Sequence, residues 1–99
     1  MKQVHFIGIG GIGVSALAQY YLSQGWKVSG SDAARSEITD ELKKKGVRVF
    51  IGQRAQNIKG VNLVIYSAAI KPENPEFSQA KTKGYPLQSY AQAVGAVAE

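Results

Sequence analysis

Six residues near the amino terminus, Gly8-Ile9-Gly10-Gly11-Ile12-Gly13, have the types and spacing to hold a phosphate. Gly8, Gly10 and Gly13 satisfy G-x-G-x-x-G between an apolar strand pattern and the opening of a helix, the context that gives this spacing meaning. Gly8 suits a tight turn at the strand end, because it has no Cβ. Gly10 lets a ligand's phosphates approach the backbone, and Gly13 lets helix and sheet pack closely. The first N–H groups of the helix lack intrahelical acceptors and carry the positive end of its dipole, so they face an anion. The backbone of Gly10, Gly11, Ile12, Gly13 and Val14 is the candidate cradle. Ser15 either adds its hydroxyl to these donors or is an ordinary first-turn serine.

Two further segments fall where such a fold places its ligand. Asp32 lies 19 residues after Gly13 at the end of a second strand pattern. A dinucleotide site uses an acidic residue there to accept a hydrogen bond from the ribose. The same position also suits another base or sugar, or a local turn bond. Ser67-Ala68-Ala69-Ile70 follows a fourth strand pattern with small side chains that leave backbone accessible to a ligand's second half, or form a plain turn into Pro72. Arg35 either meets a phosphate or is a solvated loop arginine. His5 sits among apolar residues away from the strand's ligand end and reads as a packed histidine with one satisfied hydrogen bond. Tyr20, Tyr21 and Trp26 read as packing residues.

These positions need a frame, and the apolar patterning supplies one. Residues 3–8 read as a buried strand. Val14, Leu17, Ala18, Tyr21 and Leu22 then keep the i, i+3, i+4 spacing of one helix face, with Gly25 as its C-terminal cap. Residues 26–31 form a second strand running into Asp32. Ser36 caps a second helix with Ile38 and Leu42 inward and Gly46 as its stop. A third strand covers 47–51, a loop with one helical turn near 55–58 follows, and a fourth strand covers 62–66. Asn74 and Pro75 make an N-cap and N1 pair for a helix that stops near Gly84. A short strand at 86–88 leads into a helix at about 90–98. The alternation predicts one domain over 1–99. It is an α/β, Rossmann-like doubly wound fold with a mainly parallel sheet of about five strands and helices on both faces. Ligands of such sheets sit beyond the carboxyl ends of the strands near the switch point, which selects residues 8–15, 31–36 and 67–70.

Composition narrows the function further. The 44% apolar content with three prolines argues against disorder, and the absence of cysteine removes disulfides and thiolate chemistry. One histidine and seven scattered acidic residues make no zinc site. The net charge of +5 favours anionic partners in general, yet Lys43-Lys44-Lys45 reads as a solvated helix end, and no basic face with base-reading residues points to nucleic acid. Lys2 and the following apolar run imitate a secretory signal, but the glycines break that run, and no stretch reaches the ~18 apolar residues of a membrane span. A cytoplasmic protein is expected. G-x-x-x-x-G-K-[ST] is absent, so no ATP P-loop is expected here, and no nucleophile–base–orienter set is readable. On the residues alone, the chain binds a nucleotide rather than transforming one. An NAD-binding half of an oxidoreductase and a nucleotide-sensing regulatory domain both fit.

Residues 5–18, His5-Phe6-Ile7-Gly8-Ile9-Gly10-Gly11-Ile12-Gly13-Val14-Ser15-Ala16-Leu17-Ala18, resemble the start of the UDP-N-acetylmuramate-L-alanine ligases of the Mur ligase family. Gly30-Ser31-Asp32, Tyr66-Ser67-Ala68-Ala69-Ile70 and Asn74-Pro75-Glu76 extend the resemblance over nearly the whole chain. Val14 stands where methionine is usual, and Tyr90-Ala91-Gln92-Ala93-Val94-Gly95 departs from the family's Arg-Ala-Glu-Met-Leu stretch. The resemblance implies an N-terminal UDP-sugar-binding domain, inactive alone, of a three-domain ligase. The central domain, absent from these 99 residues, would bring ATP and Mg, and the last would help bind the amino acid. No cofactor is expected in this domain. ATP would phosphorylate the lactoyl carboxylate of UDP-N-acetylmuramate, and L-alanine would displace phosphate, a step of peptidoglycan precursor synthesis serving cell shape and division. By the same resemblance, Gly8 and the backbone of Gly10 to Val14, with the Ser15 hydroxyl, would hold the diphosphate. Ser31 and Asp32 would lie near uracil and ribose, and Ser67 to Ile70 would face the diphosphate or muramoyl side.

Overall fold

The computed structural model describes residues 1–98. Ten elements follow one another: β1 (Gln3–Ile7), α1 (Ile12–Ser23), β2 (Lys27–Asp32), α2 (Glu37–Lys44), β3 (Arg48–Ile51), a 3-10 turn (Ala55–Asn57), β4 (Leu63–Tyr66), α3 (Pro75–Thr82), β5 (Leu87–Ser89) and α4 (Tyr90–Ala98). The strands form one sheet in the order β3-β2-β1-β4-β5, and every neighbouring pair is parallel. The expected α/β, doubly wound architecture is the one observed. The chain winds outward from β1 in both directions, so the loops after β1 and β4 diverge and leave a crevice between them.

Side chains alternate along β1, and each face meets its own layer. Val4 and Phe6 point to one face, where Val14, Leu17, Ala18 and Tyr21 of α1, Leu42 of α2 and Ala93 of α4 complete the larger core. Ile7 points to the other face and packs with Val64, Ile58 and Ala80 of α3. Val4, Phe6, Ile7 and Ile65 are fully buried, each contributing roughly 1.5–3 kcal/mol by leaving water. Tyr21 bridges Phe6 and Trp26 in edge-on contacts at 6.0 and 4.9 Å, while Tyr20 stays 41% exposed. The tyrosines and the tryptophan are packing residues, as the patterning predicts.

Helix ends follow local chemistry. Ser36 and Thr39 form a reciprocal capping box at α2, and Asn74 Oδ1 accepts from the amides of Glu76 and Phe77 with Pro75 at the first turn of α3. Ser89 Oγ accepts from the Gln92 amide at the start of α4. Gly25, at φ +86°, follows the Gln24 cap of α1.

Candidate functional site

A cleft of about 680 Å³ opens at the carboxyl ends of β1, β2 and β4. That volume lies within the range of small-molecule sites. Gly8, Gly10 and Gly11 form its floor, Asp32 and Gln53 one wall, and Ser67, Ala69, Ile70 and Asn74 the other. Four stretches far apart in the chain thus converge on one opening.

The glycine loop owes its shape to β2. Gly8 turns the chain at φ +86°, and the amides of Gly8 and Ile9 both donate to the Ser31 carbonyl at 2.9 Å. The Gly10 amide donates to Asp32 Oδ2, also at 2.9 Å. A Cβ on Gly10 would lie 2.7 Å from that carboxylate oxygen. The closeness that requires glycine here is therefore to Asp32 as well as to any ligand. Gly13 departs from expectation in its partner. A Cβ there would meet the Tyr90 hydroxyl and ring of α4, so this glycine admits a neighbouring helix rather than the sheet.

The start of α1 differs from the other three helix starts. No side chain caps it, and among the described residues no acceptor is paired with the amides of Ile12, Gly13 and Val14. Their side chains take no part in the opening: Ile12 is 82% exposed and Val14 is buried in the core. Ser15 is buried and donates its hydroxyl to the Ile12 carbonyl at 2.9 Å. Ser67 and Ile70 close a turn through the Ile70 amide and Ser67 carbonyl, with Ala68 and Ala69 exposed at its tip. Arg35 stands outside the cleft lining, paired with Asp40 at 2.8 Å on the surface. That hydrogen bond holds the Asp40 carboxyl below the usual carboxylate range.

Ser31 turns its side chain away from the opening. It is fully buried, and its hydroxyl donates to Glu76 Oε1 at 2.7 Å. The same oxygen meets His5 Nε2 at 2.6 Å, while Oε2 accepts from the Asn57 amide group at 2.8 Å and the Arg54 amide at 3.1 Å. An ionised carboxylate only accepts, so His5 Nε2 donates, and a neutral ring leaves Nδ1 to accept from Ser29 Oγ at 2.8 Å. The histidine expected to make one hydrogen bond makes two, within a buried polar network. Burial works to raise the Glu76 carboxyl, but its bonds to His5, Asn57 and Ser31 prevail and hold it below the ordinary glutamate range. Sequence reasoning passed over Glu76 except as part of a resemblance. One signal was available: His5, Ser29 and Ser31 alternate with apolar or small residues. They therefore share the sheet face opposite Val4 and Phe6, where a parallel sheet normally carries hydrocarbon.

Comparison with known proteins agrees with this geometry. Residues 3–99 match the model of the "Mur ligase family, catalytic domain". The chain is 52% identical over 99 residues to the UDP-N-acetylmuramate-L-alanine ligase of Campylobacter jejuni, covering all of this chain and 23% of that protein. It is 48% identical over 96 residues to the ligase of the same name from Acetivibrio thermocellus, covering 97% of this chain and 20% of that one. The chain thus spans less than a quarter of the length of these relatives. Among solved structures, the UDP-N-acetylmuramate-alanine ligase of Thermotoga maritima superposes with a TM-score of 0.88 at 36% identity, over 92% of this chain and 21% of that one. A murein peptide ligase from Psychrobacter arcticus shares the fold, with a TM-score of 0.89 at 23% identity over 97% of this chain and 20% of that one. With its family model matched along nearly its whole length, the chain belongs to the Mur ligase family.

Proposed function

We propose that this chain is the UDP-sugar-binding domain, over residues 1–99, of a ligase that joins L-alanine to UDP-N-acetylmuramate. The observation that carries this reading is the uncapped start of α1, where the amides of Ile12, Gly13 and Val14 have no protein acceptor beside a cleft floored by Gly8, Gly10 and Gly11. Oriented amides at a helix start favour a diphosphate through both hydrogen bonding and the helix dipole. The names of the relatives supply the sugar nucleotide and the amino acid.

In this reading the diphosphate lies on the glycine loop, the ribose and uracil lie toward Asp32, and the muramoyl group lies toward Ser67 to Ile70. The Ser15 and Ser31 hydroxyls, held by Ile12 and Glu76, shape the site from beneath. Among the described residues no group of three acidic or histidine side chains could hold a metal, and the sequence has no P-loop. In this reading ATP and magnesium belong to further domains of the full-length ligase, and this domain binds and orients the sugar nucleotide. In this reading the domain works in the cytoplasm. No described helix is long and apolar enough to cross a membrane.

Calorimetric titration with UMP, UDP-N-acetylmuramate and NAD tests the proposal. The UDP-sugar should bind most tightly. Tighter binding of NAD would overturn the ligase reading in favour of an oxidoreductase domain.

A further inference from the structure

The Glu76 carboxylate lies beneath the cleft and touches none of the space a ligand would fill, yet four donors from three other parts of the chain converge on it. His5 comes from β1, Ser31 from β2, and Arg54 and Asn57 from the segment around the 3-10 turn. The floor of the cleft and its Asp32–Gln53 wall hang from these contacts. Ser31, fixed by its hydroxyl, offers the carbonyl that accepts the Gly8 and Ile9 amides, and its neighbour Asp32 holds the Gly10 amide. The segment held through Arg54 and Asn57 carries Gln53, which lines the cleft and accepts from Asn74 Nδ2 at 2.6 Å.

We propose that Glu76 is the positioning residue of this site: its carboxylate orients Ser31, and through it the glycine loop, while anchoring the Gly52–Arg54 wall. The chemistry of the donors explains why a carboxylate is needed. Two oxygens with four acceptor sites can satisfy four donors, whereas an amide in the same place has one acceptor oxygen and turns its own N–H groups toward two of them. Replacement by Gln leaves volume unchanged, but its N–H groups either oppose the fixed Arg54 and Asn57 donors or force the Ser31 hydroxyl and the His5 ring to turn from donors into acceptors. The expected result is displacement of Ser31 or of the Arg54–Asn57 segment, not a cavity.

The effect of Glu76 on ligand affinity rests on the reading of the cleft given above; its effect on the loop does not. Amide proton shifts and hydrogen exchange of Gly8, Ile9 and Gly10, read by NMR in the 99-residue chain, report the loop directly. In Glu76→Gln these three amides should shift and exchange at least about tenfold faster. Ala80→Gly, in the buried face of the same helix, serves as a control for mere destabilisation and should leave them in place. UDP affinity should fall about tenfold in Glu76→Gln, and adding Ser31→Ala should lower it little further, because both changes break one linkage. Unmoved loop amides in a folded Glu76→Gln chain, or equal movement in Ala80→Gly, would overturn the proposal. Should Glu76→Gln not fold, Ser31→Ala alone must shift the Gly8 and Ile9 amides, and its failure to do so has the same force. If no chain binds UDP, the cleft reading fails while the amide shifts still decide the role of Glu76.

Discussion

Replacing Gly8 by alanine separates two costs that glycine avoids here. The first is conformational: at φ +86°, an L-residue costs roughly 1–2 kcal/mol. The second is steric. A Cβ on Gly8 would lie 2.7 Å from Ser67 Oγ, 3.2 Å from Ser67 Cβ and 3.4 Å from Ile70 Cδ1. The hydroxyl and the isoleucine methyl can rotate away, but the Ser67 Cβ moves only with its backbone, whose amide is tied to the Ile7 carbonyl at 3.0 Å. Overpacking of this kind costs about 1–3 kcal/mol. Gly25 provides the reference, having the same φ of +86° and nothing within 4 Å of its would-be Cβ. Gly25→Ala should therefore lose only the backbone cost, and Gly8→Ala should lose about 1–3 kcal/mol more. In a domain of this size each kcal/mol moves the melting temperature by about 4–8 °C, so Gly8→Ala should melt at least about 4 °C below Gly25→Ala. Urea unfolding of both, with Ser67→Gly alone and combined with Gly8→Ala, completes a cycle in which removing the Ser67 side chain returns most of the difference. Equal melting temperatures for the two alanine variants, or additivity in the cycle, would refute the steric argument.

Two other outcomes follow from the same geometry. Gly10→Ala should remain folded by circular dichroism yet lose nucleotide affinity in calorimetry, because its Cβ drives Asp32 off the Gly10 amide; undiminished affinity would place the ligand elsewhere. Glu76 makes stability pH-dependent in a known direction. Its folded carboxyl titrates below the ordinary glutamate value of about 4.3, so its contribution is complete above that value and is lost as pH falls through the lower folded one. Urea midpoints of the wild type should fall more steeply below about pH 4.3 than those of Glu76→Gln, and parallel curves would contradict the assignment.

Much of this molecule is legible from local patterns. The strand and helix alternation, the Ser36 and Asn74 caps and the turn at Gly8 depend on near neighbours, and the structure places each where the patterning does. Element ends shift by a residue for identifiable reasons. Val47 bonds back to the Leu42 carbonyl to finish the helix stop, so β3 begins at Arg48. Pro86 has no amide to donate and only offers its carbonyl to Val64, so β5 begins at Leu87. Contacts between distant residues left no local trace. Tyr90 filling the space beside Gly13, Asp32 holding the Gly10 amide, and Glu76 gathering His5 and Ser31 all join residues separated by more than 20 positions. Only the polar alternation of His5, Ser29 and Ser31 hinted at a buried partner, and it could not say which one.

The span of the Glu76 knot bears on how the chain acquires its shape. His5 and Glu76 are 71 positions apart, and the strand that carries His5 is the first in the chain yet central in the sheet. Closing so long a loop loses much chain entropy before the contact rewards it, which makes such contacts late events in folding. Until α3 docks, the hydroxyls and imidazole on that face of β1 and β2 stay wet, and the loop above them lacks its fixed geometry. A ligand that needs that geometry meets only the completed fold, so its binding slows unfolding and leaves the rate of folding unchanged.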